Sequence, residues 1–442
     1  METIFISSFH PLISRNILST PLIDFLLQDG DTRVVIFTPL EKVDFLKREY
    51  GRDGVIVEGV SRAVTKRDIF LRFLALSSVD TVALKILRKR EFNAARSRFV
   101  RLFGRRRWGQ QLFRSIDSWM TPRGRFTEFF QTYNPALVFS TDMKNENDVR
   151  LVHEARERNV PAVGMVRSWD DFVIKGLLRV FPDVLVVHNE VIKQEAITLN
   201  HFPESRIRVI GLPHYDKYME PVLSSREEFC IKLGLDPAKK NILFGPFGDR
   251  LVRDNKLDQL VVEALSALDV NIIVRVPPTD SVAFNNFKSV KARVVFDTPG
   301  AGASEKDRKS NEISQEDDNR LVAELAHADV VVAGHSTIGV DACTFKKPVV
   351  IIYFDQDERP YWDSVRRYYD SEHYRRIVES GGVRLAKSPE NLLQLVETYF
   401  ENPHLDEAGR ARVVCEQVYQ FDGKSTERLA QIIRELKQKT KT

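Results

Sequence analysis

Short apolar runs alternate with stretches of helical periodicity along most of the chain. In the first half the runs are TIFISS, RVVIFT, GVIVEG, ALVFST, AVGMV, VLVVHN and IRVIG. In the second they are NILFGP, NIIVRV, ARVVF, DVVVAG and PVVIIYF. Runs this continuously apolar suit strands buried on both faces rather than half-exposed ones. Between them, segments such as DVRLVHEARERN, KLDQLVVEALSALD and DNRLVAELAHAD repeat apolar residues at three- and four-residue spacing, as helices covering a sheet do. The alternation predicts parallel sheets with helices on both faces. One turn-rich stretch, GLPHYDKYMEPVLSSREEF (residues 211–229), interrupts it and reads as a linker. A chain of 442 residues is also too long for one core. The expected fold is therefore α/β, with two doubly wound Rossmann-like domains facing a central cleft. The first spans 1–215, the second 230–400, and helices over 401–442 return towards the first domain.

Composition changes this picture little. At 43% hydrophobic and 29% charged residues the chain is globular rather than disordered. No apolar stretch approaches the roughly 18 residues of a membrane-spanning helix. METIFISSFHP lacks a basic prelude and reads as a first strand, not an export signal. Cys230, Cys343 and Cys415 are too few and too scattered for a disulfide framework or a zinc site, so a reducing, cytoplasmic compartment is expected.

Charge distribution changes it more. The formal net charge is only +4, yet Lys85–Arg125 holds thirteen Lys/Arg against two acids, Glu91 and Asp117. Phe92, Phe99, Leu102, Phe103, Trp108, Leu112, Phe113, Trp119 and Phe126 are interleaved with them. A basic amphipathic insert over about 85–125 suits an anionic membrane surface, and so a peripheral location on the inner face of the cell membrane. The plainer alternative is a pair of helices that pack on the core and turn arginine to solvent. No nucleic-acid-binding signature accompanies the patch, so no nucleic-acid partner is expected. A second polar stretch, 299–319, reads as a surface loop that could order over a ligand.

Ligands of open α/β sheets bind beyond the carboxyl ends of the strands, so residues just after each run are the candidates for chemistry. GHSTIGVDACTFKKP (334–348) follows the run DVVVA. Gly334 permits close backbone approach, and His335, Ser336 and Thr337 stand where a helix begins, a place that favours an anion. Asp341, one turn on, is placed to accept from a ribose diol. The alternative is that Ser336 merely caps the helix. NILFGPFGDR adds Gly245, Gly248 and Arg250, and NIIVRV ends with Arg275; arginine suits bidentate grip on phosphate. In the first half, VRSWDDFVIKG offers Ser168, Trp169, Asp170, Asp171 and Lys175 as an acceptor-side loop. His10 is a candidate general base, with Asp142 its rival. DGKST (422–426) lacks the first glycine of a phosphate loop and reads as a helix cap. Asp355 and Asp357 form a DxD with no other acidic ligand evident nearby, so no metal or cofactor is expected.

Taken in order, SWDDFVIKG, VIGLPHYD, GHSTIGVDACTFKKPVVIIYFD, YDSEHYRRIVESGGVRLAKSPENL and DGKSTERLAQII resemble segments of GT-B glycosyltransferases. The resemblance is strongest to bacterial proteins related to CDP-glycerol glycerophosphotransferases and surface-polysaccharide transferases. It implies an acceptor domain followed by a nucleotide-donor domain, and transfer without an essential metal. Those relatives carry a histidine where this chain has Val276 and Pro277, and DYSS where it has GHST. The departures favour a sugar donor. The expected function is glycosyl transfer from a nucleotide-activated sugar to a surface glycan or lipid-linked acceptor. The alternatives are a CDP-polyol phosphotransferase, a non-hydrolysing nucleotide-sugar 2-epimerase and a non-enzymatic membrane-surface scaffold.

Overall fold

The computed structural model describes residues 1–91, 98, 101–219, 221, 224–300 and 311–439. The chain divides into two compact units, one formed by 1–216 with 417–442 and the other by 217–416.

The first unit holds seven strands: β1 (Glu2–Ser7), β2 (Thr32–Pro39), β3 (Val55–Val60), β4 (Pro135–Ser140), β5 (Ala162–Met165), β6 (Val184–Val187) and β7 (Ile207–Val209). All pair in parallel in the order β3-β2-β1-β4-β5-β6-β7. The second unit holds β8 (Asn241–Gly245), β9 (Asn271–Arg275), β10 (Arg293–Asp297), β11 (Val330–Ala333), β12 (Val349–Ile352) and β13 (Arg384–Ala386). These are also parallel, in the order β10-β9-β8-β11-β12-β13. Each apolar run named above is one of these strands. β13 is the addition: Arg-Leu-Ala is too short and too polar to announce itself. Both units are thus doubly wound Rossmann-like domains, with the strand order reversing between β1 and β4 and between β8 and β11.

The helices used below are α1 (Arg107–Met120), α2 (Glu146–Glu157), α3 (Glu190–Asn200), α4 (Leu257–Leu265), α5 (Gln315–His327), α6 (Ile338–Thr344), α7 (Glu407–Val413) and α8 (Ser425–Lys439). Alternation along β1 shows how they cover a sheet. Phe5 meets Phe37 and Phe130 on one face, with Phe126 packed on Phe37 beyond, while Ile4 and Ile6 share a core with Leu429, Ala430 and Ile433 of α8 on the other. Burying each of the larger side chains contributes about 1.5–3 kcal/mol. The start of α8 is fixed by Asp216, whose carboxylate accepts from the Ser425 and Thr426 backbone N–H groups at 2.9 and 2.7 Å and from the Thr426 hydroxyl. DGKST is therefore a helix start held by the aspartate of GLPHYD.

The chain rejoins the first unit at Gln417, later than 401. The reason is a backbone contact inside the second unit. A Cβ at Gly409 would lie 2.2 Å from the Gly381 carbonyl carbon, so α7 packs directly on Gly381–Gly382. Arg410, fully buried, donates to the Leu405 and Pro403 carbonyls and ties the turn down.

The basic insert is partly consumed within the first unit. Arg101 and Arg105 pair with Asp80, Arg123 pairs with Glu157, and Arg125 donates to Asn147 and the Ala63 carbonyl. Phe92 and Phe99, and 301–310 of the polar loop, lie outside the described residues. Among the described residues, no helix is long and apolar enough to cross a membrane.

Candidate functional site

Each sheet carries one cluster of candidate residues at its reversal point. In the first unit, His10 follows β1, Asp142 follows β4, and Ser168–Lys175 follows β5. Asp148, in the first turn of α2, holds the tips of β1 and β4 together. Its carboxylate accepts from the Ser7 and Ser140 hydroxyls and from the Asp142 backbone N–H. Burial, then the facing Asp142, pushes the Asp148 carboxyl above the usual range. Burial also works to raise Asp142, but Arg167 and then Lys175 outweigh it and keep that carboxylate ionised. Arg167 donates to Asp142 at 2.7 Å, and its own backbone N–H donates to Asp171 at 2.8 Å. Lys175 pairs with Asp171, and Lys144 donates to the Gly176 carbonyl at 2.6 Å, its ammonium brought down to about 7 chiefly by burial.

The structure gives His10 a task the sequence did not suggest. Its Nδ1 accepts the Leu12 backbone N–H at 3.2 Å and caps the short helix Pro11–Ile13. Burial first, then Arg167, hold its pKa down to about 3, so the ring is neutral. With Nδ1 occupied, the proton sits on Nε2, and in this arrangement His10 presents a donor rather than a base. Trp169 is half-buried and leans on the core that includes Phe172 and Val166. That is packing, not an open stacking platform.

In the second unit, the loops after β8 and β11 lie side by side. The Gly334 N–H donates to the Gly245 carbonyl at 3.0 Å, and a Cβ at Gly334 would lie 2.7 Å from the Phe247 ring. Gly248 has φ +85°, and a Cβ there would meet the Asp280 carboxylate at 2.4 Å. The N–H groups of Phe247 and Gly248 donate at 2.9 and 3.0 Å to Asp258, in the first turn of α4. Those two amides are therefore spent inside the protein, and the loop's glycines serve close packing. Ser336 Oγ accepts the Ile338 N–H at 3.4 Å, a weak cap, while Thr337 faces solvent. His335 stacks on Tyr374 at 4.8 Å between ring centroids, with Tyr368 at 5.2 Å and His373 at 5.4 Å. The Tyr374 hydroxyl donates to the Gly334 carbonyl and the Tyr368 hydroxyl to the Leu251 carbonyl, locking the cage to both loops. Arg250 is 59% exposed, its Nε 4.0 Å from Asp280.

Arg275 requires a correction. It is 8% exposed, and its guanidinium donates to Asp297 at 2.5 Å, Glu324 at 2.8 Å and the Asp317 carbonyl at 2.9 Å. Two carboxylates saturate it, so it braces β9 against β10 and α5 instead of facing a phosphate. Asp341 is 2% exposed on the inner side of α6, so its carboxylate does not lie on the open surface. The DxD carboxylates are engaged separately, Asp355 by the Ser364 hydroxyl and Val365 N–H, Asp357 by Arg359. Among the described residues, no three His, Cys, Asp or Glu side chains cluster as a metal site.

The sequence reading had no role for Asp148, Arg167, Asp258, Tyr368 or Tyr374. Asp148 and Asp258 lie in the helical segments DVRLVHEARERN and KLDQLVVEALSALD, where they read as ordinary first-turn acids.

Comparison with known proteins agrees with this architecture. At 12% identity the structure is similar to a putative UDP-N-acetylglucosamine 2-epimerase from Listeria monocytogenes, with a TM-score of 0.55 over 98% of this chain and 96% of that one. It is likewise similar to the glycotransferase of kitacinnamycin, at 14% identity, a TM-score of 0.52 and 98% of both chains. A third is the Methanocaldococcus jannaschii UDP-GlcNAc 2-epimerase in complex with UDP-GlcNAc and UDP. There the identity is 13% and the TM-score 0.52, over 98% of this chain and 100% of that one. Identities this low establish the fold, which is GT-B. No curated protein matches the chain in sequence. Residues 178–435, more than half of its length, match the CDP-Glycerol:Poly(glycerophosphate) glycerophosphotransferase family, and the chain belongs to that family.

Proposed function

We propose that the protein is a metal-independent glycosyltransferase. It would move a sugar from a nucleotide-activated donor to a surface-glycan or lipid-linked acceptor. The observation that carries this reading is the pair of loops at the β8/β11 reversal, Gly245–Arg250 beside Gly334–Thr337, with hydroxyls and an exposed arginine on top. Ser336, Thr337 and Arg250 would stabilise charge developing on a departing nucleoside diphosphate. The UDP and UDP-GlcNAc bound by the Methanocaldococcus jannaschii epimerase support a nucleotide-sugar ligand for this architecture. At the β1/β4 reversal, His10 would orient the acceptor and Asp142 would take its proton. We extend the proposal to a peripheral position on an anionic membrane, supported by Trp108, Leu112 and Trp119. All three are exposed on α1 at helical spacing, beside Arg105, Arg106 and Arg107.

Family membership favours a second reading, glycerophosphate transfer from CDP-glycerol, in which CMP leaves instead of a nucleoside diphosphate. Against it stand Val276–Pro277 and GHST. A thermal-shift screen with UDP, GDP, CDP, TDP and CMP, followed by identification of the released nucleotide, separates the two. A ligand at a hundred times its Kd adds about 2.7 kcal/mol of stability. A diphosphate response with diphosphate release supports sugar transfer, and CMP release supports the phosphotransferase. Donor isomerised without any acceptor indicates an epimerase, and no nucleotide response returns the scaffold.

A further inference from the structure

A groove of about 830 Å³ opens at the opposite end of the first sheet from His10 and Asp142. Its walls come from α1, from the last turn of α2, and from the segments that lead into β6 and β7. Those segments mark the amino ends of the strands, so the groove is separate from the edge described above.

Its charge is not balanced. Five arginines line it: Arg107, Arg114, Arg123, Arg156 and Arg179. Arg179 is matched by Asp117 and Glu146, and Arg123 by Glu157. Arg114 donates only to the neutral oxygens of Leu178, Asn200 and Gln110, and lies 4.1 Å over the Phe181 ring. Burial brings its pKa down to about 10, the mark of a cation held without a compensating carboxylate. The Arg107 and Arg156 guanidiniums have no hydrogen-bond or ion-pair partner among the described residues and line the mouth. Three guanidiniums therefore surround one opening with no acid assigned to them.

Unmatched guanidinium forks suit a multi-oxygen anion better than a single carboxylate, because each presents paired N–H donors. The rim is also apolar, since Trp119 lines the groove and is 85% exposed. We propose that this groove binds a phosphate ester, with Arg107 and Arg156 on the phosphate and Trp119 against the apolar part of the ligand. The site is independent of the transfer chemistry. It draws on the membrane reading only for one of two sources of the phosphate, a lipid headgroup or a soluble ester.

The test uses the full chain, with wild type, R107Q/R156Q and W108A/L112A variants. Both arginines are exposed and have no side-chain partner among the described residues, so R107Q/R156Q should melt with the wild type. Binding is measured to glycerol 3-phosphate in solution, and to vesicles of phosphatidylglycerol in phosphatidylcholine against phosphatidylcholine alone, at fixed ionic strength. We expect R107Q/R156Q to weaken phosphate-ester binding by at least about tenfold. Loss of vesicle binding alone identifies a lipid headgroup, and loss of glycerol 3-phosphate binding identifies a soluble ester. Equal binding of both ligands by R107Q/R156Q and wild type overturns the proposal. So does vesicle binding that falls only in W108A/L112A, a result that leaves the membrane contact standing without the groove. Failure of both ligands to bind wild-type protein also overturns it, whatever the nucleotide screen returns.

Discussion

The two sheet reversals are alike in topology and opposite in electrostatics. At the β1/β4 end the charged groups face one another in a buried lattice of Asp142, Arg167, Asp171, Lys175 and Lys144 around a neutral His10. At the β8/β11 end the charges turn inward, Asp258 under one loop and Arg275 against Asp297 and Glu324, and the surface is left to the hydroxyls of Ser336 and Thr337 and to Arg250, above His335 packed on Tyr368 and Tyr374. The fold specifies where a ligand site lies. Which charges remain available depends on partners far away in sequence.

Breaking the inward-facing charges should have the largest effect. Arg275→Ala would leave Glu324 without its cation and Asp297 with Arg320 alone, and removing one partner of a buried ion pair costs about 3–5 kcal/mol. Chemical denaturation of the variant checks this. A loss below about 1 kcal/mol would mean that Arg275 is free for ligand after all. Asp258→Ala should cost about 1–3 kcal/mol, since the Phe247 and Gly248 amides lose their acceptor. It should also weaken nucleotide binding by loosening the loop.

On the open surface the sign of the effect reverses. Ser336→Ala with Thr337→Ala should leave the melting temperature of the free protein nearly unchanged and remove its rise with nucleotide. In the buried lattice of the β1/β4 end, Asp142→Asn should do the converse, lowering transfer by about 10²-fold or more while nucleotide affinity holds. If Asp142→Asn weakens nucleotide binding instead, the division of labour between the two reversals is wrong.

The smallest effect is a pH slope. Burial, with a lesser contribution from Asp297 and against Arg275, pushes the Glu324 carboxyl up to about 7 from an ordinary 4.5. The folded state therefore holds a proton that the unfolded state has released between those values. Its contribution is complete below about 4.5 and is lost as pH rises towards 7. Glu324→Gln should flatten stability against pH in that window, and an unchanged slope would contradict the assignment.

Much of this architecture was legible because a strand covered on both faces has to be apolar throughout. DVVVA and PVVII could hardly be anything else, whereas Arg384-Leu385-Ala386 at the sheet edge carries no such mark. The strand order that makes certain strand ends reversal points came from the structure, but GHST and His10 directly follow apolar runs and so could be placed at the carboxyl ends of strands before any coordinates. Their partners could not. An arginine at a strand end looks the same whether it meets a phosphate or, as Arg275 does, carboxylates from positions 297 and 324. Asp148 and Asp258 look like ordinary first-turn acids, and only the three-dimensional structure shows that each ties a site loop into place. The cage of Tyr368 and Tyr374 was hidden for the same reason, since aromatic residues in a helix-forming segment usually mean core.

The measurement that bears most directly on the β8/β11 reversal as a nucleotide site is calorimetric titration of wild type and Ser336→Ala/Thr337→Ala with UDP, CDP and GDP. The prediction is saturable binding of one of them by the wild type and none by the variant at equal thermal stability. Binding that survives the double substitution unchanged, or no binding by the wild type, would contradict it.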